Sequence, residues 1–227
     1  MTQKLTILFD LDGTLVDTAP DLVLAHNHVM KKFGYPTKSV DEIKGLVGMG
    51  AKTMMSKILW RSAKEELKKV KEKTIKNEMV KEFIKFYGNN ILVDSKLVDG
   101  SKDFLIWCKK NKISMGVCTN KQEHLAVDLL KKIGINDFFE YVAGSNTFEY
   151  CKPDARHLTS VIEIMGGDIK KTIMIGDSEV DGNSAQNASL PFILLEGGYT
   201  NVKVSQIKYD HLIKNFVGLD KIIKKYL

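Results

Sequence analysis

The chain of 227 residues is 44% hydrophobic and 27% charged, the balance of a globular protein with one large or two small domains. The apolar run near its start is too short, and too soon followed by acids, for a signal peptide, and no apolar segment reaches the length of a membrane span. Since the three cysteines also show no C-x-x-C spacing, we expect a cytoplasmic protein with reduced thiols and no membrane partner.

The formal net charge of +6 at pH 7 comes from an excess of lysine. Much of this lysine lies in stretches such as AKEELKKVKEKTIKNEMVKEF, where acids alternate with it, a pattern typical of a solvated helical face. The sequence has neither a zinc-ligand pattern nor a basic stripe interleaved with aromatic residues. We therefore expect no nucleic-acid partner, whereas a small anionic substrate is compatible with the charge.

The first predicted strand, Leu5–Phe9, is followed by a long helical region. Up to about residue 91 the apolar residues recur at helical spacing, in the stretches Asp21–Phe33, Ser39–Val47, Ala51–Trp60 and Glu78–Tyr87. No strand-like run interrupts them. We predict that residues 18–91 form an α-helical cap domain, inserted into a core that is made of residues 1–17 and 92–227.

After residue 95, short β-rich runs alternate with helical stretches. The predicted strands are Ile113–Cys118, Tyr141–Ala143, Thr172–Ile175 and Phe192–Leu195. The predicted helices are Lys102–Asn111, Gln122–Lys132, Ala155–Met165 and Val180–Ala188. This alternation is typical of parallel strands that are joined by helical crossovers. We therefore predict an α/β fold with a doubly wound parallel sheet, which also contains the first strand.

Polar residues follow the predicted strands at the ends where the loops converge. In a doubly wound sheet, ligands bind outside the carboxyl ends of the strands, and helix N-termini point there. The polar residues at those ends are Asp10, Asp12, Thr119, Asn120, Lys121, Lys152, Asp177 and Asp181. We expect all of them at one edge of the sheet.

Several carboxylates in one crevice repel one another and are costly to bury without a compensating cation. Mg²⁺ fits this set, because it prefers oxygen ligands and is usually held by one or two carboxylates beside substrate phosphate oxygens. Lys152 and the backbone amides near Thr119 and Asn120 then supply positive potential to a phosphoryl group. The sequence therefore indicates Mg²⁺-dependent chemistry on a phosphate ester.

The two acids after the first strand suit different steps of that chemistry. Asp10 is positioned to attack phosphorus and to form an aspartyl-phosphate. Asp12, two residues later and on the same side, protonates the departing alcohol and then deprotonates the water that cleaves the intermediate. Gly13 allows a tight turn, and we expect Thr14 to hold Asp12 by a hydrogen bond. In the alternative interpretation, both acids merely cap the next helix.

Four segments, FDLDGTLVDT, CTNK, CKPD and GDSEVD, resemble in this order the four motifs of the haloacid dehalogenase-like phosphohydrolases. The resemblance implies that Asp10 is the nucleophile and that Asp12 is the general acid and base. It also implies that Thr119 and Lys152 bind the phosphate. Because the dehalogenases of this family lack the second aspartate of the first motif, Asp12 favours phosphoryl chemistry.

The same resemblance implies a set of ligands for Mg²⁺. They are the side chains of Asp10 and Asp177 and the carbonyl oxygen of Asp12. Asp181 lies behind them in this assignment, where it holds Lys152 or a metal-bound water.

The segments GLVGMGAKTMM and LLEGGYTN look like the phosphoglycolate phosphatase branch, whose members carry an α-helical cap just after the first motif. This branch implies 2-phosphoglycolate as the substrate. A phosphomutase or a pyrophosphatase on the same scaffold stays open, and so does a non-catalytic regulator that is phosphorylated on Asp10. The sequence also leaves open whether the protein is a monomer or a homodimer.

A glycine-rich segment and two residues after or at the end of a predicted strand have further interpretations. Gly45–Thr53 is either a turn between two helices or a specificity loop in which the amides of Gly48 and Gly50 face the substrate. Lys121 either orients toward the phosphate or starts a helix at the surface, and we expect the second. Cys118 is predicted to be the buried end of a strand and not a nucleophile.

Overall fold

The computed structural model describes residues 4–47, 71–200 and 202–227. Its strands are β1 (Thr6–Phe9), β2 (Val16–Asp17), β3 (Lys96–Leu97), β4 (Ser114–Cys118), β5 (Tyr141–Ala143), β6 (Thr172–Gly176), β7 (Phe192–Leu195) and β8 (His211–Ile213). Six of them form a parallel sheet in the order β5-β4-β1-β6-β7-β8, and β2 and β3 form a separate antiparallel pair. The predicted α/β fold with a doubly wound parallel sheet is confirmed, and β8 adds a strand that the sequence did not predict.

The described helices are α1 (Ala19–Lys32), α2 (Val40–Val47), α3 (Lys71–Asn89), α4 (Ser101–Lys110), α5 (Glu123–Lys132), α6 (Ala155–Ile164), α7 (Glu179–Asn187) and α8 (Asp220–Ile223). Residues 48–70 lie outside the described part of the chain, and with them the predicted helix Ala51–Trp60 and the two glycines Gly48 and Gly50. Among the helices described, none has the length and hydrophobicity that crossing a bilayer requires.

The central strand β1 is apolar throughout because both of its faces are buried. Phe9 points into one core, where its ring centroid lies 6.3 Å from that of Phe104 in α4 and 6.4 Å from that of Phe216. Leu8 points to the other face, into a core that it shares with Val161 of α6. A strand that is covered on both faces has a continuous apolar sequence, which explains why this strand could be recognised from the sequence.

The strand order reverses on either side of β1. On one side lie β4 and then β5, and on the other side lie β6, β7 and β8. The loops that follow β1, β4 and β6 therefore leave the sheet around one crevice at its carboxyl edge. Polar residues in these three loops are brought together, although they are far apart in the sequence.

Two segments connect the helices α1 to α3 with the sheet, and they lie side by side. One contains β2 and the other contains β3, and the two strands pair antiparallel. Asp21 of α1 ties them further, since its buried carboxylate accepts hydrogen bonds from the amides of Val93, Asp94 and Ser95 and from the Ser95 hydroxyl. One side chain of α1 thus fixes the chain where it returns to the sheet.

These hydrogen bonds also set the ionisation of Asp21. Burial by itself raises the pKa of the carboxyl, but the hydrogen bonds, led by that of the Ser95 hydroxyl, outweigh burial and lower the pKa below its ordinary value of 3.8. A carboxyl whose pKa is lowered by folding stabilises the folded state above its ordinary pKa. The stabilisation is lost as the pH falls through the folded-state pKa.

We expect Asp21→Asn to lower the free energy of unfolding at neutral pH by about 2 kcal/mol. The substitution replaces one carboxylate oxygen by an NH₂ group, which cannot accept from the N–H donors that face both oxygens of Asp21. Urea unfolding of the variant and of the wild type measures the change. The matched control is Asp128→Asn, an exposed acid of α5. The difference in free energy of unfolding between the wild type and Asp21→Asn should shrink as the pH is lowered below 3.8. An Asp21→Asn protein as stable as the control at neutral pH would contradict this account.

Candidate active site

Three buried aspartates lie together at the carboxyl edge of the sheet. Asp10 directly follows β1, Asp177 directly follows β6, and Asp181 lies in the first turn of α7. Phe9 and Ile175 are register partners in two neighbouring strands, so Asp10, one residue after Phe9, and Asp177, two residues after Ile175, leave the sheet at the same edge. One carboxylate oxygen from each of the three aspartates lies within 4.8 Å of the other two. The group is compact enough to hold one cation.

Burial and the neighbouring negative charges raise the pKa values of Asp10 and Asp177. The pKa of Asp10 is raised to about 6, chiefly by burial, against the opposing positive charge of Lys152. The pKa of Asp177 is raised well above its ordinary value of 3.8 by burial and then by the negative charges of Asp181 and Asp10. The ionised cluster is therefore unfavourable by itself, and a divalent cation between the oxygens relieves the repulsion.

Two loops hold Asp177 from opposite sides. The Thr14 hydroxyl donates to Oδ1 at 2.8 Å, and the Tyr199 amide donates to Oδ2 at 2.6 Å. A Cβ atom on Gly13, where φ is +85°, would lie 2.4 Å from Oδ2 of Asp177, and one on Gly198 would lie 2.2 Å from it. Both loops therefore need glycine to approach the carboxylate this closely.

The prediction that Thr14 holds Asp12 is wrong. The left-handed conformation of Gly13 turns the chain after Asp12, so that the Thr14 side chain reaches Asp177 on the neighbouring strand end. Oδ1 of Asp12 instead accepts a hydrogen bond of 2.7 Å from the hydroxyl of Thr18, the residue that precedes α1. Each of the two hydroxyls therefore serves a different carboxylate.

The prediction that Lys121 lies at the surface is also wrong. Its Nζ atom lies 2.7 Å from Oδ1 and 2.9 Å from Oδ2 of Asp12, and its side chain is buried. The same Nζ atom lies 4.5 Å from the centre of the Tyr87 ring in α3. The position is buried because α5 begins only at Glu123, so Lys121 still belongs to the loop that enters the crevice after β4.

A second buried lysine, Lys152, joins two of the clustered aspartates. Its Nζ atom lies 2.8 Å from Oδ1 of Asp10 and 2.6 Å from Oδ1 of Asp181. Burial alone lowers the pKa of Lys152, but the charges of these carboxylates outweigh it and raise the pKa, so the ammonium form persists. Oδ2 of Asp181 accepts from the hydroxyl and the amide of Ser178, which fixes Asp181 at the N-terminus of α7.

Thr119 and Asn120, the two residues after β4, join the same network. Thr119 is buried, donates its amide to the carbonyl of Ala143 at 2.9 Å, and accepts the amide of Lys121 on Oγ1 at 3.2 Å. Asn120 donates its side-chain amide to the carbonyl of Lys152 at 3.1 Å. The structure thus brings the residues that the sequence placed at strand ends into one connected site.

Sequence reasoning did not assign a role to Tyr199. Besides donating its amide to Asp177, this residue accepts the amide of Ala19 on its hydroxyl at 2.8 Å and donates the hydroxyl to Asp17 at 2.5 Å. It therefore joins the aspartate cluster to the segment that leads into α1. The available signal was the GGYTN segment after β7, which follows a strand end like the other site residues.

Cys118 is the last residue of β4 and is buried, which confirms its interpretation as the end of a strand. Burial raises the pKa of its thiol to about 12. Because the thiolate and not the thiol is the reactive form, a nucleophilic role at neutral pH does not fit this residue.

The comparison with protein families gives one match over most of the chain. The model of the family described as haloacid dehalogenase-like hydrolase matches residues 7–195. This range contains the three aspartates of the cluster, Asp12 and both buried lysines.

Two curated relatives and one solved structure are similar over nearly the whole length. A phosphoglycolate phosphatase of Agrobacterium fabrum is 37% identical, over 96% of this chain and 94% of the relative. One of Caulobacter vibrioides is 35% identical, over 95% and 89%. The crystal structure of a predicted phosphoglycolate phosphatase from Haemophilus somnus 129PT is 29% identical and superimposes with a TM-score of 0.90, over 98% of this chain and 99% of that one.

The repulsion within the cluster yields a prediction about stability. Because folding raises the pKa of Asp177, its ionised form destabilises the folded state as the pH rises above 3.8, and the penalty vanishes below that value. In EDTA at about pH 8, we expect Asp177→Asn to raise the free energy of unfolding by an amount on the order of 1 kcal/mol. Urea unfolding of variant and wild type at about pH 8 and about pH 4 measures it.

The control for this experiment is again Asp128→Asn, an exposed acid outside the crevice. The gain of Asp177→Asn over the wild type should disappear at the lower pH. If Asp177→Asn is less stable than the wild type at about pH 8 in EDTA, the carboxylates do not repel one another as described.

Proposed function

We propose that this chain, which belongs to the haloacid dehalogenase-like hydrolase family, hydrolyses a small phosphate monoester through an aspartyl-phosphate on Asp10. The candidate substrate of this phosphoric monoester hydrolase is 2-phosphoglycolate, because the two curated relatives are named for it. The observation that carries the proposal is the pairing of Asp10 and Asp12 with separate buried lysines beside Asp177.

Asp10 is the proposed nucleophile because it is the residue held most directly by the sheet. Its amide donates to the carbonyl of Ile175 at 2.9 Å, which continues the β1 ladder through this residue, and Lys152 holds Oδ1. Attack of the carboxylate on phosphorus forms the acyl phosphate and breaks the bond to the ester oxygen. Water then attacks the phosphorus of the acyl phosphate, which releases inorganic phosphate and restores Asp10.

Asp12 is the proposed acid and base for these two steps. It gives its proton to the ester oxygen as the bond to phosphorus breaks, and it later takes a proton from the attacking water. Each proton therefore passes through the same carboxylate, and the cycle ends with Asp12 as it began. The hydrogen bond of Thr18 keeps this carboxylate beside the crevice.

Mg²⁺ is the proposed cofactor, with the side chains of Asp10 and Asp177 and the carbonyl of Asp12 as its ligands. The donor set fits the ion, because the available atoms are oxygens of clustered carboxylates whose pKa values are raised by burial and repulsion. When bound, Mg²⁺ supplies positive charge to the phosphoryl oxygens and screens them from the carboxylates. Gly13 and Gly198 leave Asp177 the room to serve as a ligand.

The phosphate-binding residues in this proposal are Thr119, Asn120 and Lys152. Lys152 remains charged between Asp10 and Asp181, so it supplies a fixed positive charge next to the nucleophile. Thr119 and Asn120 directly follow β4. Because the Thr119 amide already donates to the carbonyl of Ala143, the donors proposed for the phosphoryl group are the Thr119 hydroxyl and the backbone amide of Asn120. The energy that binds the phosphoryl group thus comes from groups whose positions the fold determines before the substrate arrives.

We also propose that residues 18–91 act as a cap over this site, with the core formed by 1–17 and 92–227. The support is the contact of Tyr87 in α3 with Lys121, and the tie that Asp21 makes at the connecting segments. A cap excludes water from the first step, which protects the phosphoryl group from premature hydrolysis. A cytoplasmic location and the absence of a nucleic-acid partner stay predictions of the sequence.

Replacing the nucleophile tests the covalent step. Asp10→Asn should lower kcat for phosphate release by roughly 10⁴-fold or more, because an amide does not attack phosphorus. Assay of released phosphate from 2-phosphoglycolate measures the loss, and circular dichroism checks the fold. Asp128→Asn is the matched control. If Asp10→Asn keeps a tenth or more of the wild-type rate, Asp10 is not the nucleophile.

Removing the metal and varying the substrate tests the class of reaction. Phosphate release should stop in EDTA and return when Mg²⁺ is added in excess, because the clustered carboxylates need the ion before they can lie beside another anion.

With Mg²⁺ present, 2-phosphoglycolate should be hydrolysed fastest in a panel of phosphate monoesters, hexose phosphates and pyrophosphate. Isomerisation without net release indicates a phosphomutase, preference for pyrophosphate indicates a pyrophosphatase, and a long-lived phosphorylated form without turnover indicates a regulator.

A further inference from the structure

We propose that Lys121 is a positioning residue, which fixes the Asp12 carboxylate in the orientation needed to pass its proton to the leaving group. The proposal rests on the proposed phosphatase function, in which Asp12 is the acid. Lys121 lies outside the assigned catalytic, phosphate-binding and metal-binding residues, and its contacts differ in kind from those of Lys152.

The two buried lysines hold their carboxylates in different ways. Lys152 bridges two aspartates and takes one oxygen from each, Oδ1 of Asp10 and Oδ1 of Asp181. Lys121 gives its ammonium to a single carboxylate and contacts both oxygens of Asp12, at 2.7 and 2.9 Å. A carboxylate that is held through both oxygens cannot rotate about its Cβ–Cγ bond without losing a charged hydrogen bond.

These contacts also determine where Asp12 can carry a proton. A carboxylate has about four lone-pair positions, two on each oxygen. Thr18 and Lys121 both donate to Oδ1, while Lys121 alone of these two donates to Oδ2. The remaining lone-pair position is on Oδ2, so the proton that goes to the ester oxygen is placed there. Lys121 keeps its own three protons throughout the cycle.

Lys121 is itself confined from several sides. Its amide donates to Oγ1 of Thr119 at 3.2 Å, and its carbonyl accepts the amide of Ser145 at 2.8 Å. The Tyr87 ring of α3 covers the ammonium at 4.5 Å, and both side chains are buried. A buried cation over a ring face is attracted to the ring, so Tyr87 helps to hold the ammonium of Lys121 beside Asp12.

Orientation of Asp12 matters most for esters whose oxygen leaves poorly. An alkyl ester such as 2-phosphoglycolate needs its oxygen protonated as the bond breaks, whereas p-nitrophenyl phosphate expels a stabilised phenolate without help. A small misplacement of a catalytic group can cost about 10²-fold in rate. Loss of Lys121 should therefore slow the first step for the alkyl ester and not for the aryl ester.

The experiment compares Lys121→Met with the wild type in rapid-quench measurements of Asp10 phosphorylation, with Mg²⁺ present. Met keeps the length of the side chain and removes its charge and its donors. We expect phosphorylation by 2-phosphoglycolate to slow by about 10²-fold and phosphorylation by p-nitrophenyl phosphate to slow by less than about threefold. Lys132→Met, at an exposed position of α5, is the matched control and should change neither rate.

Two results would overturn the proposal. Equal slowing with both esters indicates a general structural effect of Lys121. A raised KM for 2-phosphoglycolate with an unchanged phosphorylation rate indicates that Lys121 binds the carboxylate of the substrate instead. A wild-type protein that releases phosphate from neither ester is a different outcome, because it refutes the phosphatase function itself.

A second comparison keeps the test decisive if Lys121→Met does not fold. The double variant Asp12→Asn with Lys121→Met replaces the buried ion pair by two uncharged side chains, which avoids leaving a lone buried charge. If Lys121 acts through Asp12, its loss adds little once Asp12 is already replaced, because the effects of coupled residues are not additive. The rate of Asp10 phosphorylation by 2-phosphoglycolate in the double variant should then lie within about threefold of the rate in Asp12→Asn alone. A further loss of about tenfold or more shows that Lys121 acts by another route.

Discussion

The structure depends on keeping several negative charges within one crevice of buried side chains. Asp10 and Asp181 share Lys152, and Asp12 has Lys121, so three of the four carboxylates have a buried ammonium within 3 Å. The described hydrogen bonds to Asp177 come from neutral donors, a hydroxyl and a backbone amide. Burial, and then repulsion by Asp181 and Asp10, raise the pKa of Asp177, and this uncompensated negative charge is the physical reason for proposing a divalent ion.

The fold meets this constraint by building the crevice from rigid parts. The acids follow β1 and β6, which lie side by side at the middle of the sheet and are buried on both faces. Lys121 follows β4 on the other side of β1, and Tyr199 lies in the loop after β7 and ties Asp177 to the start of α1. Charged groups attached to packed strands cannot move apart to relieve their repulsion, so they stay preorganised for the proposed cation and phosphate ester.

The sequence predicted most of the sheet and the composition of the site, for physical reasons. Buried parallel strands are continuous apolar runs, and the parallel order sends the residues that follow them to one edge. The prediction missed β8, whose sequence HLI is short and only partly buried at the edge of the sheet, and the two-residue strands β2 and β3, which have no periodicity to detect. The predicted partner of Thr14 and the predicted surface position of Lys121 were wrong, because a hydrogen bond across 163 or 109 residues depends on the folded loops and not on local pattern.

The central claim is that a divalent cation shares the crevice with the clustered aspartates, and direct location of the ion tests it. Crystals grown with Mn²⁺ in place of Mg²⁺ give an anomalous signal that identifies the metal without reference to activity. The account predicts one strong peak in contact with carboxylate oxygens of Asp10 and Asp177, and loss of that peak in Asp177→Asn. A crevice without any peak at a saturating Mn²⁺ concentration, or a peak that persists unchanged in the variant, would contradict it.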